Sequence, residues 1–102
     1  DDLGRVASDD LVAAVTDRAA RTAPGVAVDP VTVDQVAACD QAVRTRDGEL
    51  GALRYAAIAE IDGRQGILLL YDIDVGVGNA NGTNRLHATD RVTCAGFLTR
   101  TF

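Results

Sequence analysis

An Asp-Gly pair between two apolar segments constrains the fold of this chain more than any other feature. Asp62-Gly63 follows an apolar segment at residues 53–61 and precedes a second one at residues 66–75. Asp-Gly favours the two-residue turn of a β-hairpin, because both residue types tolerate the positive φ that this turn requires. The sequence therefore predicts an antiparallel hairpin in the middle of the chain.

The second strand of this hairpin is expected to lie inside the sheet. Residues 67–71 form a continuous apolar run, whereas a strand with one solvated face alternates between apolar and polar residues. The run therefore predicts that both faces of this strand are covered. A final strand is expected at residues 92–99, with Cys94 inside it, and a short strand is weighed at residues 86–88.

Apolar residues at helical spacing predict two helices before the hairpin, at residues 9–22 and 33–44. Helices followed by strands are typical of an α+β fold. We expect two N-terminal helices packed on a three- to four-stranded antiparallel sheet. Residues 1–7 lack a clear period and are interpreted as the remnant of a linker, and residues 8–102 as one domain.

Two cysteines suggest one disulfide. Cys39 lies on the same side of the second predicted helix as Val36 and Val43, which favours a buried partner for its sulfur. A bond to Cys94 would close a loop of more than half the chain and stabilise a domain that is poor in aromatic residues. The alternative is two unrelated buried thiols in a cytosolic protein. A disulfide would place the domain outside the reducing cytosol.

The charge of the chain argues against two classes of partner. The formal net charge is −5, and all ten basic residues are arginines without a basic stripe. Nucleic acids and anionic membrane surfaces are therefore not expected as partners. No run of eighteen apolar residues occurs, so a membrane connection is expected only through a preceding span outside this chain.

The segment DIDVGVGNANGTN at residues 72–84 could in principle bind an ion. A calcium loop of the EF-hand type needs a glutamate at its twelfth position, where the two registers place Thr83 or Arg85. The glycine spacing also fails for a phosphate-binding loop. We interpret the segment as a loop that is available for contacts. The candidate contact residues are Asp72, Asp74, Asn79, Asn81 and His87.

No catalytic or metal site follows from the sequence. Either cysteine could be combined with His87 and Asp90 as a triad, but no local signature surrounds them and a disulfide would consume both thiols. A surface histidine near a loop is the preferred interpretation of His87. Without a C-x-x-C pair, a structural zinc site is not expected. We therefore expect neither an enzyme nor a cofactor.

Four segments together resemble a known family. They are Ala38-Cys39-Asp40 on a helix, the strand and turn at residues 57–66, the aliphatic strand Ile67-Leu68-Leu69-Leu70-Tyr71, and Val92-Thr93-Cys94. This pattern resembles the extracytoplasmic C-terminal domain of actinobacterial membrane-anchored anti-sigma factors over roughly residues 36–97. Members of that family usually carry a Pro-Ala pair where this chain has Gln65-Gly66.

The resemblance implies a sensor fragment. Family members join a cytoplasmic zinc-type domain, which binds the sigma factor, to one membrane span and an outer domain of about this size. This chain would then be a non-enzymatic sensor or interaction domain in the cell envelope, with an envelope ligand or protein as its unknown partner. The alternatives are a small secreted or lipid-anchored binding protein unconnected with transcription, and an enzyme fragment whose catalytic residues lie on another domain.

Overall fold

The structure, a computed structural model, describes residues 2–21, 30–48, 50–73 and 84–101. These ranges contain five strands, two α-helices and a short 3₁₀ turn at Ser8–Asp10. In chain order the elements are β1 (Asp2–Val6), α1 (Leu11–Arg21), α2 (Pro30–Arg46), β2 (Leu50–Ile61), β3 (Arg64–Ile73), β4 (Asn84–Asp90) and β5 (Gly96–Thr101). None of the helices in these ranges is long and apolar enough to cross a membrane.

The predicted hairpin is confirmed. β2 and β3 are antiparallel, and Ile61 pairs with Arg64 across the two-residue loop. Asp62 has φ 51° and Gly63 has φ 85°, the pair of positive values that the Asp-Gly turn was expected to supply. The turn also anchors the start of the chain, because the Ser8 amide donates to Asp62 Oδ1 over 3.1 Å.

The predicted sheet is wrong in its size and its strand directions. All five strands form one mixed sheet in the order β1-β2-β3-β4-β5, in which β1 is parallel to β2 and every other neighbouring pair is antiparallel. The chain also enters the sheet before either helix. The expected three- to four-stranded antiparallel sheet behind two N-terminal helices is therefore replaced by a sheet whose first edge strand precedes both helices.

The first strand lies in the segment that was interpreted as a linker remnant. Asp2–Val6 is short, carries two charged residues and includes Gly4 at φ 69°, so it shows no strand-like alternation. Its register on β2 also shifts between Asp2 and Arg5. It becomes a strand because β2 offers an edge for it, and the two helices return the chain for the parallel pairing, which needs a long crossover.

The two helices cover opposite faces of the sheet. Leu11 and Val15 of α1 pack against one face, which we call the α1 face, together with alternate residues of β2, β3 and β4. Val36, Cys39 and Val43 of α2 pack against the other, which we call the α2 face. The run at residues 67–71 is buried throughout because its side chains alternate between these two cores, so the prediction that this strand is covered on both faces is confirmed.

The end of the chain differs from its prediction. β5 begins at Gly96, so Cys94 precedes this strand instead of lying within it. Cys94 has φ 61°, a left-handed conformation that a tight turn requires and that a strand excludes. The short strand weighed at residues 86–88 is the centre of β4, which lies between β3 and β5 in the sheet.

Thr89 provides a test of packing in the sheet. Its side chain is fully buried, and its hydroxyl has no hydrogen-bond partner among the described residues. A buried hydroxyl without a partner costs about 1 to 3 kcal/mol, and valine has the same shape. We expect Thr89→Val to raise the free energy of unfolding by about 1 kcal/mol or more in urea titrations.

Thr89→Ser is the matched control, because it keeps the hydroxyl and removes only the methyl group. It should lower the free energy of unfolding by about 1 kcal/mol, the value of one buried methyl group. A valine variant less stable than the parent protein would show that the Thr89 hydroxyl is hydrogen-bonded in solution.

Candidate functional site

A polar groove lies where α2 ends above β4 and β5. We call it the His87 groove, and it has a volume of about 540 Å³. The α2 face is apolar over β2 and β3, but the register of β4 and β5 places polar pairs on it, namely Arg85 opposite Thr101 and His87 opposite Thr99. Residues that line the groove include Arg46, Asp47, His87 and Thr99, together with Phe97 and Leu98, whose side chains pack against the core on the α1 face.

Asp47 is held at the end of α2 by two residues of β4. Its amide continues the helical hydrogen-bond pattern by donating to the Val43 carbonyl over 2.8 Å. A carboxylate at this end of a helix is unfavourable because the exposed carbonyls carry partial negative charge. The opposing charge comes from Arg85, whose Nη1 lies 2.7 Å from Asp47 Oδ2. His87 Nε2 lies 3.0 Å from the same oxygen.

The sequence suggested that His87 is a surface residue near a loop, but the structure places it within the sheet. It lies in the middle of β4, and its side chain is only 12% exposed. The ring packs edge-on against Tyr71, with 6.1 Å between the ring centroids. Its second nitrogen, Nδ1, lies 3.2 Å from Thr99 Oγ1. The imidazole therefore links a carboxylate at the end of α2 to a hydroxyl on β5.

The protonation pattern of this link follows from its acceptor. Asp47, held by Arg85, is an ionised carboxylate and can only accept hydrogen bonds, so His87 Nε2 carries the proton between them. In the neutral ring Nδ1 is then an acceptor, and the Thr99 hydroxyl donates to it. Asp47, His87 and Thr99 thus form a directed chain from carboxylate to hydroxyl.

A second polar cluster supports the same helix. The Tyr71 hydroxyl donates to Asp40 Oδ1 over 2.5 Å, and Arg44 Nε donates to the same oxygen over 3.0 Å. The Arg44 guanidinium also lies 5.1 Å from the centre of the Tyr71 ring. Burial, and then the hydrogen bond to Asp40, raise the pKa of Tyr71 far above its ordinary value. These contacts fix the middle of α2 over β3.

The Cys39–Cys94 disulfide joins α2 to the turn between β4 and β5. Asp90 begins this turn, and its side chain accepts the amide hydrogens of Val92 and Thr93 over 2.8 and 3.0 Å. The backbone amides of Thr93 and Val92 lower the pKa of Asp90. Arg46 Nη2 donates to the Cys94 carbonyl over 3.0 Å. The disulfide favours an oxidising compartment for the chain.

The structure separates the residues of the expected contact loop. Asp72 is on β3 and forms an ion pair with Arg54, at 2.6 Å between Oδ2 and Nε. It follows Tyr71 on its strand, so it faces away from the side of the sheet that carries His87. Asp74, Asn79 and Asn81 lie outside the described residues.

The alternatives built on cysteine or metal chemistry are not assembled. Both cysteines are in the disulfide, and the Asp90 side chain is engaged in its turn. Among the described residues, no group of three or more histidine, cysteine, aspartate or glutamate side chains could hold a metal ion.

Asp47, Arg85 and Thr99 were not among the residues that the sequence predicted for a site. Asp47 carried one usable signal, because an acidic residue directly after a helix needs a positive partner to offset the helix dipole. Nothing in the sequence identified that partner, which lies 38 residues further along the chain. Thr99 had no signal at all, because its role depends on the register of β5 against β4.

Comparison with protein-family models, with curated proteins and with solved structures finds no match to this chain.

The buried tyrosines predict instability in alkali. The pKa values of Tyr71 and Tyr55 are both raised in the folded protein, chiefly by burial, so each tyrosine ionises first in the unfolded chain. The contribution of each tyrosine to the free energy of unfolding is then fully present below a pH of about 10. Above that pH the free energy of unfolding falls by about 1 kcal/mol per pH unit for each tyrosine. Urea titrations between pH 8 and pH 11 measure this slope.

Tyr71→Phe should unfold more easily than the parent protein at neutral pH, by about 1.5 to 3 kcal/mol, because it loses a hydrogen bond to the Asp40 carboxylate. Its stability should nevertheless decline less steeply above pH 10. Tyr55→Phe is the matched variant and should remove the other part of the slope. An unchanged slope in the double variant would show that the tyrosines do not cause the alkaline loss.

Proposed function

We propose that this chain is a non-enzymatic, extracytoplasmic sensor or interaction domain of a membrane-anchored regulator of the anti-sigma type. The disulfide is the observation that carries the proposal, because such bonds persist in oxidising compartments and are rare in the cytosol. The link to anti-sigma factors rests on the resemblance of residues 36–97 to their outer domains.

The position of the disulfide supports a role in holding a surface. Cys39 is fully buried in the core under α2, and Cys94 lies in the turn that leads into β5. The bond therefore ties the helix to the strands that form the other wall of the His87 groove. Such a bond would help a domain in the cell envelope to keep a contact surface rigid, because only two aromatic side chains are buried among the described residues.

The His87 groove is the candidate recognition surface, because it brings charged and hydrogen-bonding side chains of α2, β4 and β5 together. It combines the Arg46 guanidinium, the Asp47–His87 pair and the Thr99 hydroxyl. Binding sites commonly use a few placed polar groups to orient a ligand. An envelope ligand or a partner protein would meet these polar groups at the end of α2.

The redox state of the purified protein tests the compartment. Denatured, unreduced protein isolated from its host should show no reactive thiols. Reduction should lower the free energy of unfolding by about 4 kcal/mol, the chain-entropy value for cysteines 55 positions apart. The melting temperature should fall by roughly 15 °C or more. Two reactive thiols in the host protein would contradict an extracytoplasmic location.

The matched control is a double variant, Cys39→Ala with Cys94→Ala. It should unfold at about the temperature of the reduced parent protein, and reductant should not change its stability. A double variant as stable as the oxidised parent would show that the bond does not hold the fold together.

The link to a regulator needs a separate test. The coding sequence upstream of residue 1 should encode a membrane span and, before it, a domain rich in cysteine and histidine. A secretion or lipid-anchor signal in that place would instead identify a small envelope binding protein unconnected with transcription. The thiol count and the upstream sequence can fail independently, so the two parts of the proposal are distinguishable.

A further inference from the structure

The chain of hydrogen bonds from Asp47 to Thr99 is the strongest chemical feature of the described residues. Asp47 Oδ2 lies 3.0 Å from His87 Nε2, and His87 Nδ1 lies 3.2 Å from Thr99 Oγ1. Both are hydrogen-bond distances, and the second is within reach of proton transfer between a base and a hydroxyl. We propose that the Thr99 hydroxyl is a nucleophile that accepts one acyl group from an activated carboxylic ester.

The environment of each group suits its role. The Asp47 and His87 side chains are 15% and 12% exposed, so water competes little for their hydrogen bond. Thr99 is exposed and lines the His87 groove, so an ester can reach its oxygen. A base must be shielded and oriented while the nucleophile stays accessible. The end of α2 shields His87, whereas β5 leaves Thr99 exposed.

The step is balanced without any other reactant. Thr99 Oγ1 forms a bond to the acyl carbon of the ester as its proton moves to His87 Nδ1. The bond between the acyl carbon and the leaving oxygen then breaks, and His87 Nδ1 returns the proton to that oxygen. No group is oxidised or reduced. Asp47 acts as a positioning residue, because its carboxylate stabilises the doubly protonated ring while the proton is held there.

A positive charge in the His87 groove suits acyl transfer. Phe97 and Leu98 border the groove along β5, but their partly buried side chains pack against the core on the α1 face. Arg46 lines the groove, and its guanidinium is held by the hydrogen bond of Nη2 to the Cys94 carbonyl. A fixed positive charge in the same groove favours the negative charge that develops on the carbonyl oxygen.

Thr101 is a natural control within the same strand. It lies two residues further along β5, on the same face of the sheet, and is likewise exposed. Its hydroxyl accepts a hydrogen bond from Arg85 Nε over 3.0 Å, and so it contacts a permanent cation where Thr99 contacts a base. A guanidinium cannot take a proton from a hydroxyl, so Thr101 should remain unreactive.

This inference is independent of the proposed function. It concerns the modification of one side chain and assigns no turnover to the chain. A sensor, a secreted binding protein or a domain of another kind could each carry an acyl-acceptor threonine. The test therefore neither supports nor weakens the envelope location.

The experiment is acylation of the oxidised protein by p-nitrophenyl acetate, followed by intact mass measurement and peptide mapping. The sequence contains no lysine, so the N-terminal amine is the main competing amine, and both tyrosines are buried. We expect one acetyl group on Thr99, formed about 100-fold or more faster than any on Thr101, which is the usual advantage of a positioned base.

Three variants decide the result. Thr99→Val should abolish the modification at that position, Thr101→Val should leave its rate unchanged, and His87→Gln should slow it about 100-fold because the amide cannot take the proton. Acetyl groups confined to the N-terminal amine or distributed equally between the two threonines would overturn the proposal. An unchanged rate in folded His87→Gln would also overturn it. Should that variant not fold, the comparison of Thr99→Val with Thr101→Val decides alone.

Discussion

The bond between Cys39 and Cys94 is the constraint on which the arrangement of the α2 face depends. Helix α2 packs its apolar side chains over β2 and β3, but it does not cover β4 and β5. The disulfide connects it to the turn between those two strands. The disulfide therefore helps to hold α2, and with it Asp47, near His87 on β4. Apolar packing alone would hold the helix only to β2 and β3.

The polar groove is a consequence of incomplete coverage. The α1 face carries Leu86 and Ala88 of β4 in one continuous core, whereas the opposite face of the same strand carries Arg85 and His87. A strand with one polar and one apolar face belongs where a helix covers only one side of the sheet. The groove thus occupies the part of the α2 face that the helix leaves open, and the shielding of His87 comes from the end of α2.

Some parts of the fold could be predicted from the sequence, and others could not. Asp62-Gly63 predicted a two-residue turn, because the backbone conformation of such a turn depends on its own two residues. The apolar run at residues 67–71 predicted a strand covered on both faces, because a strand with one solvated face would contain alternating polar residues. The first strand, Asp2–Val6, was not predictable, since its pairing with β2 supplies what its own residues lack. Nor could helical spacing reveal that α1 and α2 cover opposite faces, because each helix displays only its own apolar side.

The sequence alone determined the hairpin, the two helices and the chemistry that allows a single disulfide, because each of these depends on residues close together in the chain or on residue type. Only the tertiary structure decided that Asp47, His87 and Thr99 meet. They are far apart in sequence, and no short motif connects them. Their alignment follows from the register of β5 on β4 and from the attachment of α2 to the intervening turn, two long-range constraints that local propensities do not encode.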